Sequence, residues 1–235
     1  MIIEEPDFKK AVQTADEILV SSKEIKAFPF MLIPVIMEYT DFELRTFGWI
    51  EKKGISAKDS FLSNDAELKK KGGMYILFYN EMMPPARPIF SCTHELGHYM
   101  LGHPIDSLSR MRDRNDPKFL DLYRICEVEA NFFAAELLMP EPIIVELFKR
   151  GCKITEEFLI KHFEVSREAA KKRIELLRKA YDWNNFNRYP DSCNYDDIIV
   201  EKYKKFIDSI APQKFKYGYS LEQDLELEKQ RETWV

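Results

Sequence analysis

The chain has 235 residues, 45% of them hydrophobic, which is enough to bury one good core and a small second unit. Its formal net charge of −5 argues against a protein that coats nucleic acid, and its most apolar stretch, residues 27–39, is too short to span a bilayer. The acidic residues 1–10 lack the pattern of a signal peptide, so we expect a cytoplasmic protein with no membrane segment.

The first third of the chain contains signals for helices and for strands. Apolar residues at helical spacing predict an amphipathic helix over residues 6–23, with a proline in its first turn. A second helix is expected after Pro29 or Pro34. Residues 42–50 alternate in polarity well enough to predict a strand. Residues 72–80 predict a strand more strongly, because a glycine pair leads into aromatic and β-branched side chains.

The middle of the chain begins with a proline-rich segment, residues 82–88, which predicts a loop. Residues 89–92 are expected to form a strand that leads into a helix capped by Thr93. Gly102 and Pro104 are the signals that end this helix.

The second half of the chain is mostly helical in its pattern. Residues 106–119 are predicted to form a polar surface loop with some helical character. Residues 122–139 have small and apolar side chains on every helical face, as in a buried helix. Residues 152–181 indicate two short helices around a turn at 164–166, and residues 196–210 indicate one more amphipathic helix.

The sequence HELGH carries the strongest chemical signal. On a helix, His94 and His98 lie one turn apart on the same face, so both imidazoles can bind one metal ion. Glu95 is adjacent, where a carboxylate can act as general base without binding the metal. The competing interpretation is a solvent-exposed helix in which this motif occurs by chance. The apolar neighbours of the motif favour a buried helix instead, and the polar groups of a buried helix need partners.

A zinc site needs a third protein ligand, and three residues are candidates. His103 would suit a metzincin, but Gly102 and His103 are each one position out of register with that pattern. Glu127 and Asn131 share a helix face, so Glu127 could bind the metal while Asn131 hydrogen-bonds a histidine nitrogen. Glu129 points away from Glu127 and is expected to be a surface charge or part of a local salt bridge.

Residues 87–103 together with 127–140 resemble the ImmA/IrrE family of prokaryotic metallopeptidases. That family pairs a HELGH-type helix with a downstream helix of pattern E-x-x-A-[ND]-x-F-A-x-x-L-L-M-P, and both motifs are present here in order. The resemblance extends over residues 72–142. It implies an α+β fold of the gluzincin type, mainly helical, with a small sheet beside the HExxH helix.

The resemblance also implies a site and a substrate. It assigns one Zn²⁺ ion to His94, His98 and Glu127, and the role of catalytic base to Glu95. It further implies endoproteolysis of a DNA-binding transcriptional repressor, often one encoded on a mobile element or in a stress regulon.

A second donor to the oxyanion is usual in such sites. Tyr79, Tyr99 and His103 are the nearest candidates in sequence. Each could equally be a packed or surface residue, and the sequence does not choose between them.

Residues 154–177 are similar to the helix-turn-helix-like segment that members of this family often carry. Between Lys161 and Lys179, seven Lys or Arg residues outnumber three Glu. This part of the chain is therefore locally basic, and Lys171, Lys172 and Arg173 are candidates for docking DNA phosphates or substrate. The competing interpretation is a packed helical pair with solvated charges. This segment also supports the alternative function, a non-proteolytic regulatory module that binds DNA or protein.

The composition along the chain predicts three parts. Residues 1–145 are expected to form the zinc metallopeptidase domain, residues 146–181 the helix-turn-helix-like segment, and residues 182–235 a C-terminal extension of unknown role.

Overall fold

The computed structural model describes residues 5–61, 63–84, 86–112, 117–180 and 195–212. Helices predominate within these ranges, and they pack around one small sheet. The predicted α+β fold, mainly helical with a sheet beside the HExxH helix, is therefore confirmed.

The elements are numbered in chain order. The helices are α1 (Phe8–Ser21), α2 (Leu32–Ile36), α3 (Phe47–Glu51), α4 (Ala57–Ser60), α5 (Ala86–Met100), α6 (Ile105–Arg112), α7 (Pro117–Leu138), α8 (Glu141–Lys149), α9 (Glu156–Phe163), α10 (Arg167–Ala180), α11 (Asp196–Lys202) and α12 (Lys204–Ile210), and the strands are β1 (Phe42–Thr46), β2 (Ala66–Lys71) and β3 (Met74–Tyr79).

The sheet has three strands in the order β1-β3-β2. Strand β3 pairs parallel with β1 and antiparallel with β2, and its Leu77 lies opposite both Leu44 and Leu68. Strand β2 was not predicted, because its sequence AELKKK has little β-branched or aromatic content. It lies at the edge of the sheet beside α5, where the main-chain N–H of Leu68 donates to Glu95.

Helix α1 confirms the first helical prediction with a shifted start. Pro6 precedes the helix, and Asp7 caps it by accepting a hydrogen bond from the main-chain N–H of Lys10 (2.9 Å). The buried face of α1 packs against α7 and consists of Ala11, Ala15, Asp16, Ile18 and Leu19. Phe8, at the first position, is instead 43% exposed and rests on the ring of Phe132.

The predicted strand over residues 42–50 is right only in its first half. It ends at Thr46, whose hydroxyl accepts a hydrogen bond from the main-chain N–H of Trp49 (3.1 Å) and so caps α3. The expected second helix is the short α2, which begins after Pro29 and contains Pro34 in its first turn. A proline is tolerated there because it has no main-chain N–H, and an N–H in the first turn would have no intrahelical acceptor.

The HELGH helix begins earlier than the sequence predicts. Helix α5 starts at Ala86, so residues 89–92 are helical and not a strand. Thr93 is consequently an interior residue, and its hydroxyl donates to the carbonyl of Ile89 (2.7 Å) instead of capping the helix. The helix ends at Met100, and Gly102 follows with a φ of +72° that favours glycine.

The described residues of the polar stretch 106–119 belong to α6 and to the start of α7, so they are more helical than the predicted surface loop with some helical character. Helix α7 includes the predicted buried helix and ends before Pro140, which precedes the first turn of α8. Helices α9 and α10 lie on either side of the predicted turn, in which Glu164 has a φ of +52° and the Ser166 hydroxyl accepts from the main-chain N–H of Ala169.

Residues on both sides of the predicted boundary at 145 share one hydrophobic core. Helix α8 runs across this boundary, and buried side chains of α9 to α12 belong to the same cluster as those of α1 and α5. The predicted helix over residues 196–210 is divided at Tyr203, whose buried hydroxyl donates to the carbonyl of Leu19 in α1 (2.8 Å). The three-part division of the chain stays a prediction.

In the ranges that the structure describes, none of the helices combines the length and the apolar character that crossing a membrane requires.

Candidate metal centre

Helices α5 and α7 approach each other closely at Gly97. A methyl group built on Gly97 would lie 2.8 Å from Cδ1 of Phe133 and 3.3 Å from Cα of Ala130. No ordinary side chain fits at that distance, so the glycine allows the two helices to pack with their polar faces side by side.

This packing brings together His94, His98 and Glu127. The two Nε2 atoms are 2.9 Å apart, and the Glu127 carboxylate lies 3.5 Å from Nε2 of His94 and 3.4 Å from Nε2 of His98. Tetrahedral zinc at its usual bond lengths separates its ligand atoms by about 3.3 Å. Two imidazole nitrogens and a carboxylate oxygen therefore fit a zinc ion in both spacing and chemistry.

The charges in this cluster favour binding a cation. Burial raises the pKa of Glu127, but its hydrogen bonds with His94 and His98 outweigh burial and hold that pKa well below the usual range. Burial lowers the pKa of His98 to about 4. Burial also lowers the pKa of His94, but the hydrogen bond with Glu127 and the charge of Glu95 raise it overall. The site thus holds a charged carboxylate beside a neutral imidazole, the form in which histidine binds metals.

Glu95 follows His94 on α5 and lines the same cleft as the three potential ligands. Its Oε2 atom accepts a hydrogen bond from the main-chain N–H of Leu68 in β2 (3.0 Å). Burial raises the pKa of Glu95 to about 7, although the charge of His94 opposes this shift. A carboxylate with such a pKa can both accept and release a proton near neutral pH.

The cleft around these residues has a volume of about 380 Å³. It is lined by α5 and α7, by residues 66–68 of β2, and by Ile105 and Leu108 of α6. Tyr123, which the sequence analysis missed, also lines it, one turn before Glu127 on α7. The signal for Tyr123 was its spacing of four residues from Glu127 on one predicted helix.

None of the three proposed oxyanion donors lines this cleft. The Tyr99 hydroxyl donates to the Asp41 carboxylate (3.0 Å), and its ring packs against Tyr75. Tyr79 contacts a separate apolar cavity, and His103 lies behind His98. These positions disfavour all three residues as donors to an oxyanion at the metal.

His103 and Glu129 form a buried pair behind the site. Nδ1 of His103 is 2.9 Å from Nδ1 of His98, and its Nε2 is 2.8 Å from Oε2 of Glu129. Of the two expectations for Glu129, the surface charge is wrong, since only 7% of this residue is exposed, and its ionic partner is His103, 26 positions away in the sequence, not a local residue. His103 is absent from the group of potential ligands, which disfavours the metzincin alternative.

Asn131 lines the cleft on the same face of α7 as Glu127. Its side-chain amide donates to the main-chain carbonyl of Glu127 (2.7 Å), and its side chain helps to raise the pKa of His94. Its proposed role beside the metal ligands remains a prediction.

The three basic residues proposed for docking differ in their environment. Lys171 and Lys172 are exposed on α10, where Lys172 pairs with Glu168 (2.8 Å). Arg173 is 1% exposed, and its guanidinium lies 2.6 Å from the Glu136 carboxylate in the interior. The prediction that Arg173 docks DNA or substrate is wrong, because its charge is already bound inside the fold.

The fold and the donor set define a metallopeptidase of the HExxH class. The family model described as the IrrE N-terminal-like domain, of the peptidase M78 group, matches residues 50–175, more than half of the chain. The chain therefore belongs to this family of metallopeptidases, in agreement with the resemblance seen in its motifs.

Two curated relatives show the same likeness over shorter stretches. The radiation response metalloprotease IrrE of Deinococcus radiodurans is 34% identical over 99 residues, which are 40% of this chain and 29% of the relative. The uncharacterized immunity region protein 2 of Bacillus phage phi105 is 40% identical over 74 residues, which are 32% of this chain and 43% of the relative. The matched stretches span less than half the length of either relative.

Proposed function

We propose that this chain is a zinc-dependent endopeptidase, with His94, His98 and Glu127 as the metal ligands and Glu95 as the catalytic base. The observation that carries the proposal is the position of the Glu127 carboxylate, 3.4 and 3.5 Å from the two histidine nitrogens of a different helix. Two chain segments have to converge to produce this arrangement, which chance occurrence of HExxH in a solvated helix does not explain.

The residues of the chain have distinct roles in the proposed reaction. Bound Zn²⁺ would supply Lewis acidity to the cleft. Glu95 takes a proton from the attacking water and delivers it to the leaving amine, and its pKa of about 7 suits both transfers. The main-chain N–H of Leu68 holds the Glu95 carboxylate in one orientation. Tyr123 is the residue that we assign as donor to the oxyanion, because its side chain lines the cleft beside Glu127.

The proposed substrate is a DNA-binding transcriptional repressor of a mobile element or stress regulon, met in the cytoplasm. The names of the two relatives support this substrate class, since one is a radiation response metalloprotease and the other belongs to a phage immunity region. The alternative of a DNA-binding module is weakened, because Arg173 is buried and Lys172 is paired with a neighbouring carboxylate.

The first test is the metal content of protein purified without chelator. Wild type and Glu95→Gln are expected to hold about one zinc ion per chain, whereas His94→Ala and Glu127→Ala lose it. Each variant is then combined with the helix-turn-helix repressors encoded beside the gene, and cleavage is followed by mass spectrometry. Wild type is expected to cut one of them at a defined bond, and Glu95→Gln to cut none. Equal cleavage by Glu95→Gln and wild type would refute the proposed base.

A further inference from the structure

We propose that His103 and Glu129 are positioning residues that fix the tautomer and orientation of the metal ligand His98, and that the first turn of α1 holds them in place. The inference rests on the proposed metal site, but it concerns residues that do not touch the metal or the cleft.

The chain of contacts runs away from the metal centre through the interior. Nε2 of His98 faces Glu127, while Nδ1 of His98 lies 2.9 Å from Nδ1 of His103. Nε2 of His103 lies 2.8 Å from Oε2 of Glu129. The second oxygen of Glu129, Oε1, accepts a hydrogen bond from the main-chain N–H of Asp7 (2.7 Å). These contacts link His98 of α5, His103 in the segment after α5, Glu129 of α7 and the main chain of Asp7 at the start of α1.

The chemistry of these groups fixes the direction of every hydrogen bond. An ionised carboxylate only accepts, so the Nε2 atom of His103 has to carry a hydrogen and donate it to Glu129. In a neutral ring, Nδ1 of His103 is then an acceptor, and it takes the hydrogen on Nδ1 of His98. His98 is left with its lone pair on Nε2, the nitrogen that faces the other two ligands. A carboxylate that orients a metal-binding histidine in this way also makes the imidazole a stronger ligand.

The first turn of α1 makes two contacts with this region, one with Glu129 and one with the segment just after α5. The main-chain N–H of Asp7 satisfies the oxygen of Glu129 that does not face His103. The ammonium group of Lys10 donates to the carbonyl of Leu101, just after the end of α5 (2.6 Å). The other histidine differs, since Nδ1 of His94 is buried without a hydrogen bond among the described residues. The chain of contacts from α1 therefore reaches Nδ1 of His98 and not Nδ1 of His94.

The test compares the zinc dissociation constants of full-length variants by chelator competition. His103→Phe keeps an aromatic side chain but removes the acceptor, and zinc binding is expected to weaken roughly 10- to 100-fold. In His103→Asn, the amide oxygen can take the place of Nδ1 and accept from His98, so most of the affinity is expected to return. Lys9→Met is the matched control, because it removes a positive charge from an exposed position of the same turn of α1 and leaves the chain of imidazoles intact.

Two further measurements separate positioning from a loss of structure. The visible spectrum of the cobalt-loaded protein is expected to change in His103→Phe and to match wild type in His103→Asn and Lys9→Met. Thermal unfolding of the metal-free proteins reports the stability of each fold independently. If His103→Phe does not fold, Glu129→Gln replaces it, since one amide oxygen cannot serve both His103 and Asp7, and a several-fold loss of zinc affinity is expected.

The inference is overturned if wild type binds zinc and His103→Phe, or Glu129→Gln in its place, binds it equally well with an unchanged cobalt spectrum. It is also overturned if folded His103→Asn and His103→Phe lose the same affinity. These measurements need no substrate. A wild-type protein that holds zinc through this network but cleaves no repressor would contradict the proposed function and leave the positioning role supported.

Discussion

Arg173 and Glu136 form an ion pair in the interior, with 2.6 Å between Nη2 of the arginine and Oε2 of the glutamate. The arginine also donates through Nε to the carbonyl of Met139 (3.0 Å), and Oε1 of the glutamate accepts from the main-chain N–H of Glu141. The pair thus connects α10 with the end of α7, the helix that carries Glu127.

Replacing Arg173 with methionine is expected to destabilise the protein. The substitution preserves much of the side-chain volume but removes the guanidinium and leaves the Glu136 charge buried, which costs about 3–5 kcal/mol in the free energy of unfolding. Urea denaturation of the metal-free protein measures this loss. Lys172→Met, at the exposed neighbouring position, is the control and is expected to change stability by less than about 0.5 kcal/mol. A loss below 1 kcal/mol for Arg173→Met would contradict the structural role of the pair.

Gly97→Ala is expected to separate the two helices that carry the metal ligands. The added methyl group would lie 2.8 Å from Cδ1 of Phe133 and 3.3 Å from Cα of Ala130. Overpacking of this kind costs about 1–3 kcal/mol, which exceeds the roughly 1 kcal/mol that alanine gains over glycine in helix propensity. Both the unfolding free energy and the zinc affinity are expected to fall.

The double variant Gly97→Ala/Phe133→Leu tests the cause of that loss. Leucine withdraws the ring edge that the new methyl group meets, so part of the zinc affinity is expected to return even though the core loses an aromatic side chain. Chelator competition on the single and double variants makes the comparison. If the second substitution lowers the affinity further, the ring contact is not what limits the helix spacing.

Those parts of the site that depend on one helix could be predicted from the sequence. The one-turn spacing of His94 and His98 is a local property of any helix, and so is the position of Glu95 beside them. Glu127 was chosen from its own helix face and from the family motif, and the structure brings it to the two histidines. Gly97 and Ala130 are small residues at the point where the two helices meet.

The contacts between segments that are far apart in the chain could not be predicted from the sequence. Glu129 points away from Glu127 on α7, and only the return of the chain after α5 supplies His103 as its partner. Arg173 looks like a surface charge among lysines until the packing of α10 on α7 places Glu136 beside it. Strand β2 was missed for a related reason, because pairing with β3 outweighs the weak strand propensity of its lysines.

Zinc affinity is expected to fall as the pH falls, because protons compete with zinc for the two histidines. A single proton competes first. Metal binds the neutral imidazole, so a proton on either histidine opposes it. The pKa of His94 is raised, whereas burial lowers the pKa of His98 to about 4. Below the pKa of His94, the zinc dissociation constant should therefore increase about tenfold per pH unit, because only His94 takes up a proton. Competition with a chelator of known pH dependence between pH 8 and 5 measures this slope. A hundredfold change per unit in that range would mean that both histidines titrate together.

The contact of Tyr203 with α1 is expected to contribute to stability. Its buried hydroxyl donates to the carbonyl of Leu19, near the end of that helix. The ammonium group of Lys202 donates to the same carbonyl and to that of Ser22. Tyr203→Phe removes one hydrogen bond while keeping the packed ring, and a loss of about 0.5–1.5 kcal/mol in unfolding free energy follows. Denaturant titration is the measurement, with exposed Lys205→Ala as the control; equal stability of Tyr203→Phe and wild type would show that Lys202 alone suffices.

Tyr123→Phe tests the assignment of the oxyanion donor. The substitution removes only the phenolic hydroxyl of a residue that lines the cleft, so zinc content and the KM for the proposed repressor substrate are expected to stay close to wild type. The kcat is expected to fall roughly 100-fold or more, the usual effect of removing such a donor. Tyr99→Phe is the matched control, since its hydroxyl binds Asp41 outside the cleft, and it is expected to leave kcat unchanged. If Tyr99→Phe lowers kcat and Tyr123→Phe does not, the donor has to reach the site from the α5 side by a movement on substrate binding. If both variants keep their activity, the metal and the main chain stabilise the oxyanion without a phenol.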